Sequence, residues 1–292
     1  MRILLCLNRD FISNIALNRL QDALEGHVID IVLSKGIGKK SSPKAPAIEQ
    51  WQQLENRLIE NGLFPLLERS GPTFPQNRFQ SFKQLAQATV SKTIREFSNI
   101  NDSEGLAYVQ QFDPDVIISI RFGQIFKSAV IDIPRFGIIN LHSGVLPDYR
   151  GILATFWAML NDETHIGCTL HYITDNTIDT GEIIDVHKIP ADYKRSLLWN
   201  IAALYEGGAA LILDTLEQLN SNQPVIAHPQ DNSRGRYFSF PAQHEIMEFL
   251  AKNHRLCSME DYIALIRWYG VDESALPIEA HFKATAAEPA LR

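Results

Sequence analysis

The chain has 292 residues, 45% of them hydrophobic and 21% charged, which is enough for one sizeable core plus an appendage. A formal charge of −7 argues against a broad grip on nucleic acid, because basic contacts to phosphate supply most of that affinity. No run of ~18 apolar residues suggests a membrane span, no cleavable leader follows Met1-Arg2, and the three scattered cysteines (Cys6, Cys168, Cys257) fit a reducing cytoplasm.

Residues 2–7 read as a strand, 13–24 as an amphipathic helix capped by Ser13 or Asp10, and 27–33 as a second strand. Strand, helix and strand at this spacing make a right-handed parallel unit. The fold class is therefore α/β, with an open, mostly parallel, Rossmann-like sheet. Ligands in such sheets bind beyond the carboxyl ends of strands, which puts Asn8-Arg9-Asp10 beside the cleft. Arg9 there is either a grip for a phosphate or sugar, or an ordinary surface arginine. Residues 34–46 form a basic loop whose Lys35, Lys39, Lys40 and Lys44 either meet a phosphate or are simply solvated.

Residues 48–61 are expected to be helical, 63–80 irregular and 82–95 mixed. Asn101-Asp102-Ser103-Glu104 caps a helix to residue 111, and 115–120 is a core strand followed by Arg121-Phe122-Gly123-Gln124-Ile125-Phe126. The stretch FGIINLHSGVLPDYRG, 136–151, begins as another strand. Asn140 and His142 stand two apart, so on an extended chain they leave the same face. A carboxamide and an imidazole at a strand's end either serve a cleft or tie down a loop.

Residues 152–161 read as a helix, and 168–173 and 182–189 as strands. The loop between those strands carries Asp175, Asp179 and the turn glycine Gly181. Residues 196–219 form a long helix with a kink expected at Gly207-Gly208. A turn-rich stretch at 220–224 marks a boundary between a domain of residues 1–220 and an extension of residues 221–292. Residues 234–239 are a basic-aromatic strand candidate, 241–253 and 258–269 are helices, and the tail is expected to fray.

N-x-H at 140–142, Leu146-Pro147, G-x-T-x-H at 167–171 and I-D-T-G at 178–181 occur in an order that resembles the 10-formyltetrahydrofolate-dependent formyltransferases. That family includes glycinamide ribonucleotide, methionyl-tRNA and amino-sugar formyltransferases. The resemblance is strongest from Pro114 to Ile189, and it implies the formyltransferase fold with 10-formyltetrahydrofolate as formyl donor. It places the catalytic roles on Asn140, His142 and Asp179, and the folate on Phe122, Gln124, Ile125 and Phe126 opposite Thr174 and Asp175. Arg9 and Tyr149 are the candidates for the acceptor.

The residue types suit the chemistry. A formyl group passes to an amine through a tetrahedral intermediate, and an amide donor on the developing oxyanion can be worth ~3 kcal/mol. Asn140 fits that role. His142 fits as general base or as a cation on the oxyanion, and Asp179 as its counter-charge and proton relay. Where many relatives have serine two positions after the histidine, this chain has Gly144, beside Ser143. His171 reads as a structural or supporting residue. A zinc site from His142, His171 and Asp179 or His187 is the rival reading, without a close-spaced His pair or Cys ligand to support it.

The acceptor is read by exclusion. Asn8-Arg9-Asp10-Phe11 lacks the glycines of a phosphate loop, against glycinamide ribonucleotide, and the acidic balance stands against tRNA. A small amine is expected, foremost a nucleotide-linked amino sugar, with hydroxyornithine or methionyl-tRNA as alternatives. A 10-formyltetrahydrofolate hydrolase and a non-catalytic folate-binding module are the other readings. The extension either lines the acceptor pocket, forms a homodimer, or only covers the core.

Overall fold

The computed structural model describes residues 1–34, 44–69 and 78–285. Lys35, Lys39 and Lys40, part of the 63–80 stretch and the end of the tail lie outside them. Nine strands are described: β1 (Arg2–Asn8), β2 (Val28–Ser34), β3 (Arg95–Phe97), β4 (Val116–Ile120), β5 (Ile138–His142), β6 (Tyr149–Gly151), β7 (His165–Ile173), β8 (Ile183–Pro190) and β9 (Arg236–Phe238). Seven make one sheet in the order β3-β2-β1-β4-β5-β7-β8, and β6 pairs with β9 in a separate ribbon. Every pairing from β3 to β5 is parallel, and β7 runs antiparallel to both of its neighbours. The expected mostly parallel sheet is what forms. β3 was not legible: its three residues, Arg95-Glu96-Phe97, carry no hydrophobic pattern.

Alternation along the strands separates two apolar layers. Ile3, Leu5 and Leu7 of β1, with Ile118 and Ile120 of β4 and Ile139 and Leu141 of β5, face the larger layer. Leu4 and Cys6, with Ile117 and Ile138, face a smaller one built on Val109 and Phe112 of the helix Ser103–Phe112. Each such buried aliphatic side chain contributes about 1.5–3 kcal/mol. Beyond Ile138 the smaller-layer face of β5 carries Asn140 and His142. The packing of the sheet therefore ends where its polar pair begins.

Asp10, not Ser13, caps the helix Phe11–Arg19, accepting the Ser13 N–H at 2.7 Å. The helix expected over 48–61 runs Pro46–Leu58 and passes through a wider turn, Ile59–Leu63, into Phe64–Arg69. Asp102 caps Ser103–Phe112 and Ser196 caps Leu197–Asn220.

That last helix is long and apolar enough to cross a membrane by length and composition, which the sequence reading did not find. Here it is a core helix, burying Leu198, Ile201, Leu204 and Ile212 against the sheet. It continues through Gly207-Gly208 as one helix. A Cβ on Gly208 would lie 2.7 Å from Leu141 Cδ2, and one on Gly207 2.2 Å from the His187 ring. Close helix–sheet approach is what these glycines allow.

The described part of the segment after residue 220 is stitched into the same core. Phe249, Tyr262, Leu265 and Tyr269 join the larger layer. The Tyr269 hydroxyl donates to Asn14 Oδ1 at 2.6 Å, and the Tyr262 ring lies 5.5 Å from that of Phe11.

Candidate functional site

Strand register builds the site. In the antiparallel pair β5–β7, Asn140 stands opposite His171 and His142 opposite Thr169, so the four side chains share a face. His171 is 1% exposed. Its Nδ1 donates to Tyr172 O at 2.9 Å, which leaves Nε2 to accept from Asn140 Nδ2 at 3.1 Å. The carboxamide is thereby oriented with a second N–H to spare.

His142 is buried, and its Nε2–H donates to Tyr149 O at 2.7 Å. Thr169 fixes the chain just beyond it, donating to Gly144 O at 2.7 Å and accepting from Leu146 N at 3.1 Å.

Asp179 reaches this face from the β7–β8 loop in a left-handed conformation, φ 55°. Its Oδ2 lies 3.4 Å from His142 Nδ1 and its Oδ1 3.4 Å from His171 Nε2. Gly151 N donates to Oδ2 at 2.8 Å. Burial alone would raise this carboxyl, but His142 and His171 in their protonated forms, with the Gly151 N–H, outweigh it and hold the group at about 2. One carboxylate thus bridges two imidazoles.

The three catalytic candidates are together. The folate candidates divide. Ile120 pairs with Leu141, so the segment after β4 leaves the sheet beside His142. There the Gln124 side chain is used inward, accepting from Ile100 N at 2.6 Å and donating to Phe97 O at 2.7 Å. Phe126 is buried and stacks on Phe122 with ring centroids 5.2 Å apart, while Ile125 is exposed. The backbone of this turn is partly engaged as well, with Gly123 N donating to Ser34 Oγ at 2.9 Å and Ile125 O accepting from Asn101 Nδ2 at 2.9 Å. Thr174 and Asp175 lie exposed in the opposite loop, where Asp175 accepts from Thr177 N at 2.7 Å.

Both acceptor candidates are otherwise engaged. Arg9 pairs with Glu60 at 2.8 Å and Glu96 at 2.7 Å, so its charge is already matched. The Tyr149 ring is buried, stacks on Phe238 and donates its hydroxyl to Glu163 at 2.7 Å. What Tyr149 offers the site is its carbonyl, on His142. Lys44 donates to Gln52 at 2.8 Å. Behind the cleft, Arg121 pairs with buried Asp10 at 2.9 Å and ties the end of β4 to that of β1.

Among the described residues no group of three or more His, Cys, Asp or Glu side chains is placed to hold a metal ion. Gly144 is constrained: a Cβ there would lie 2.5 Å from Ala154 Cβ and 2.7 Å from His142 Nε2. The Gly151 N–H, the Tyr149 carbonyl and Gln230 were missed in the sequence. The first two belong to a three-residue strand whose partner, β9, is far along the chain.

Residues 73–198, which hold this face and its carboxylate, match the family described as formyl transferase. Outside the matched stretch lie β1, β2, the helices from Phe11–Arg19 to Phe64–Arg69, and all but the first two residues of the long helix with everything after it. A methionyl-tRNA formyltransferase of Synechococcus sp. (strain JA-3-3Ab) is 34% identical over 171 residues, covering 57% of this chain and 52% of that protein. The chain spans about half the length of the curated relatives it matches.

Among solved structures, a 4-N formyltransferase from Francisella tularensis superposes with a TM-score of 0.52 at 15% identity, covering 85% of this chain and 86% of that one. An N-formyltransferase from Helicobacter canadensis, in complex with folinic acid and dTDP-3-aminofucose, gives 0.50 at 21% identity, covering 82% and 71%. The fold of the formyl transferase stretch and its flanks is shared with these enzymes.

Proposed function

We propose that the protein transfers a formyl group from 10-formyltetrahydrofolate to a primary amine of a small acceptor, foremost a nucleotide-linked amino sugar. The observation that carries the reading is the Asp179 carboxylate between His142 and His171, on the face that also presents Asn140.

The residues fit the donor. The turn of Phe122, Gln124, Ile125 and Phe126, made rigid by the Gln124 bonds, and the loop of Thr174 and Asp175 would hold it on either side. Bound there, 10-formyltetrahydrofolate supplies an activated formyl carbon. Asn140 directs its remaining N–H at the oxygen where charge develops. The carbonyl of Tyr149 fixes the His142 tautomer, which leaves Nδ1 as the nitrogen that takes the proton of the attacking amine. Asp179, ionised at about 2, then faces the imidazolium and relays the proton toward the departing nitrogen.

Two observations support a small acceptor. The net charge is −7, and the β1 turn has no glycine loop. The sharing of fold with enzymes described as sugar N-formyltransferases is consistent with it. The 34% identity to a methionyl-tRNA formyltransferase favours a second reading, with tRNA as acceptor. Comparing kcat/KM for dTDP-linked 3-amino and 4-amino deoxysugars against charged methionyl-tRNA separates the two. A preference for tRNA would overturn the amino-sugar reading and leave the chemistry standing.

One prediction arises from Gly144. Restoring the serine of many relatives, Gly144→Ser, pushes against both the His142 ring and Ala154. Transfer should fall roughly tenfold, since small misplacements of a reacting group are costly. Steady-state kinetics beside a thermal melt check it, and an unchanged rate would mean that the His142 ring tolerates displacement.

A further inference from the structure

The Asp179 turn is held at both ends by a part of the chain that lies outside residues 73–198. His228 extends the edge of β8, exchanging two 2.8 Å backbone bonds with Ile183. Two residues on, the Gln230 amide nitrogen donates to the carbonyls of both Asp179, at 3.2 Å, and Gly181. Asn232 Nδ2 donates to Thr180 O at 3.4 Å. Three successive carbonyls of the turn are therefore met by side chains of residues 230 and 232.

The carboxylate end is held by the same segment. β9 pairs with β6, with Ile152 N on Phe238 O at 2.8 Å, and β6 supplies the Gly151 N–H that donates to Asp179 Oδ2. The amide of Gln230 has one orientation that works. Its nitrogen faces two oxygens, so exchanging the two ends would set oxygen against oxygen. Asp179 is left-handed, φ 55°, and Gln230 is the side chain that holds its backbone carbonyl.

We infer that Gln230 is a positioning residue for the reaction: it fixes the Asp179 turn so that the carboxylate stays between His142 and His171. The segment 228–238 then completes the site from outside the family-matched stretch. This rests on the reading of Asp179 proposed above.

Gln230→Met keeps the side chain's length and removes both donors. The Asp179 carboxyl titration, followed by carbon NMR in the intact protein, should move up from about 2 toward the ordinary 3.8. With 10-formyltetrahydrofolate and a dTDP-linked 4-amino sugar as probes, kcat should fall about tenfold while KM for the folate stays within twofold. Gln230→Leu, which also lacks the donors and adds no charge beside Asp179, serves if the methionine variant does not fold. An Asp179 titration still at about 2 in the variant overturns the inference. Asp179→Asn is the control: full transfer there sinks the reading of the site, and the inference with it. Lost transfer in that control with an unmoved titration in Gln230→Met sinks the inference alone.

Discussion

His142→Ala is expected to lower formyl transfer by about two orders of magnitude or more, near 2.7 kcal/mol of transition-state stabilisation, with the fold intact. The ring is buried, but it sits at the end of β5, past the last aliphatic residue of the smaller layer. Its removal costs the bond to the Tyr149 carbonyl and the pairing with Asp179. Neither holds the sheet together. Leu141, between Asn140 and His142 on β5, packs into the larger layer on the other face of the strand. A melting temperature close to the parent's, together with a hundredfold lower kcat/KM, would be the signature. Unchanged turnover with normal folding would remove His142 from the mechanism.

Asp179→Asn should cost transfer about as much, and the reason is electrostatic. The neutral amide keeps the shape of the turn but withdraws the charge that faces both imidazoles, 3.4 Å from each. Since the folded-state carboxyl titrates at about 2, it is ionised throughout the range in which the protein would be assayed. The pH–rate profile between about 4 and 9 therefore carries no step from Asp179, and the variant should be slow across the whole window. Stability responds differently. A carboxyl depressed from 3.8 to about 2 on folding contributes stability that is complete above about pH 4 and is lost as pH falls toward 2. The parent should lose roughly 2 kcal/mol over that interval through this group, and Asp179→Asn should lack that component. Acid denaturation curves of the two proteins check it. Parallel curves would show that the carboxylate is not paired as drawn.

Much of this site was legible from spacing. Asn140 and His142 share a face because strands alternate, and the G-x-T-x-H run places Thr169 and His171 on the matching face once β7 pairs antiparallel with β5. Asp179 stood out through its motif. The part that stayed hidden is held by contacts between distant segments. Tyr149 was read as a side chain for the acceptor, whereas its carbonyl touches His142 and its ring goes inward. Arg9 could not be known to be paired, because Glu60 and Glu96 lie 51 and 87 residues away. The strand read over 234–239 forms as β9, but its pairing with the distant, three-residue β6 has no pattern to announce it. The close packing at Gly207-Gly208 was not legible, since a helix packed closely on a sheet and a kinked helix call for the same residue.

The most direct measurement is tetrahydrofolate release from 10-formyltetrahydrofolate, with and without amines. The panel holds nucleotide-linked amino sugars, glycinamide ribonucleotide, hydroxyornithine and charged methionyl-tRNA. Release that requires an amine, and is fastest with a nucleotide-linked amino sugar, is the expected result. Release at full rate without any amine would make the protein a hydrolase, and silence with every amine would contradict formyl transfer to these acceptors.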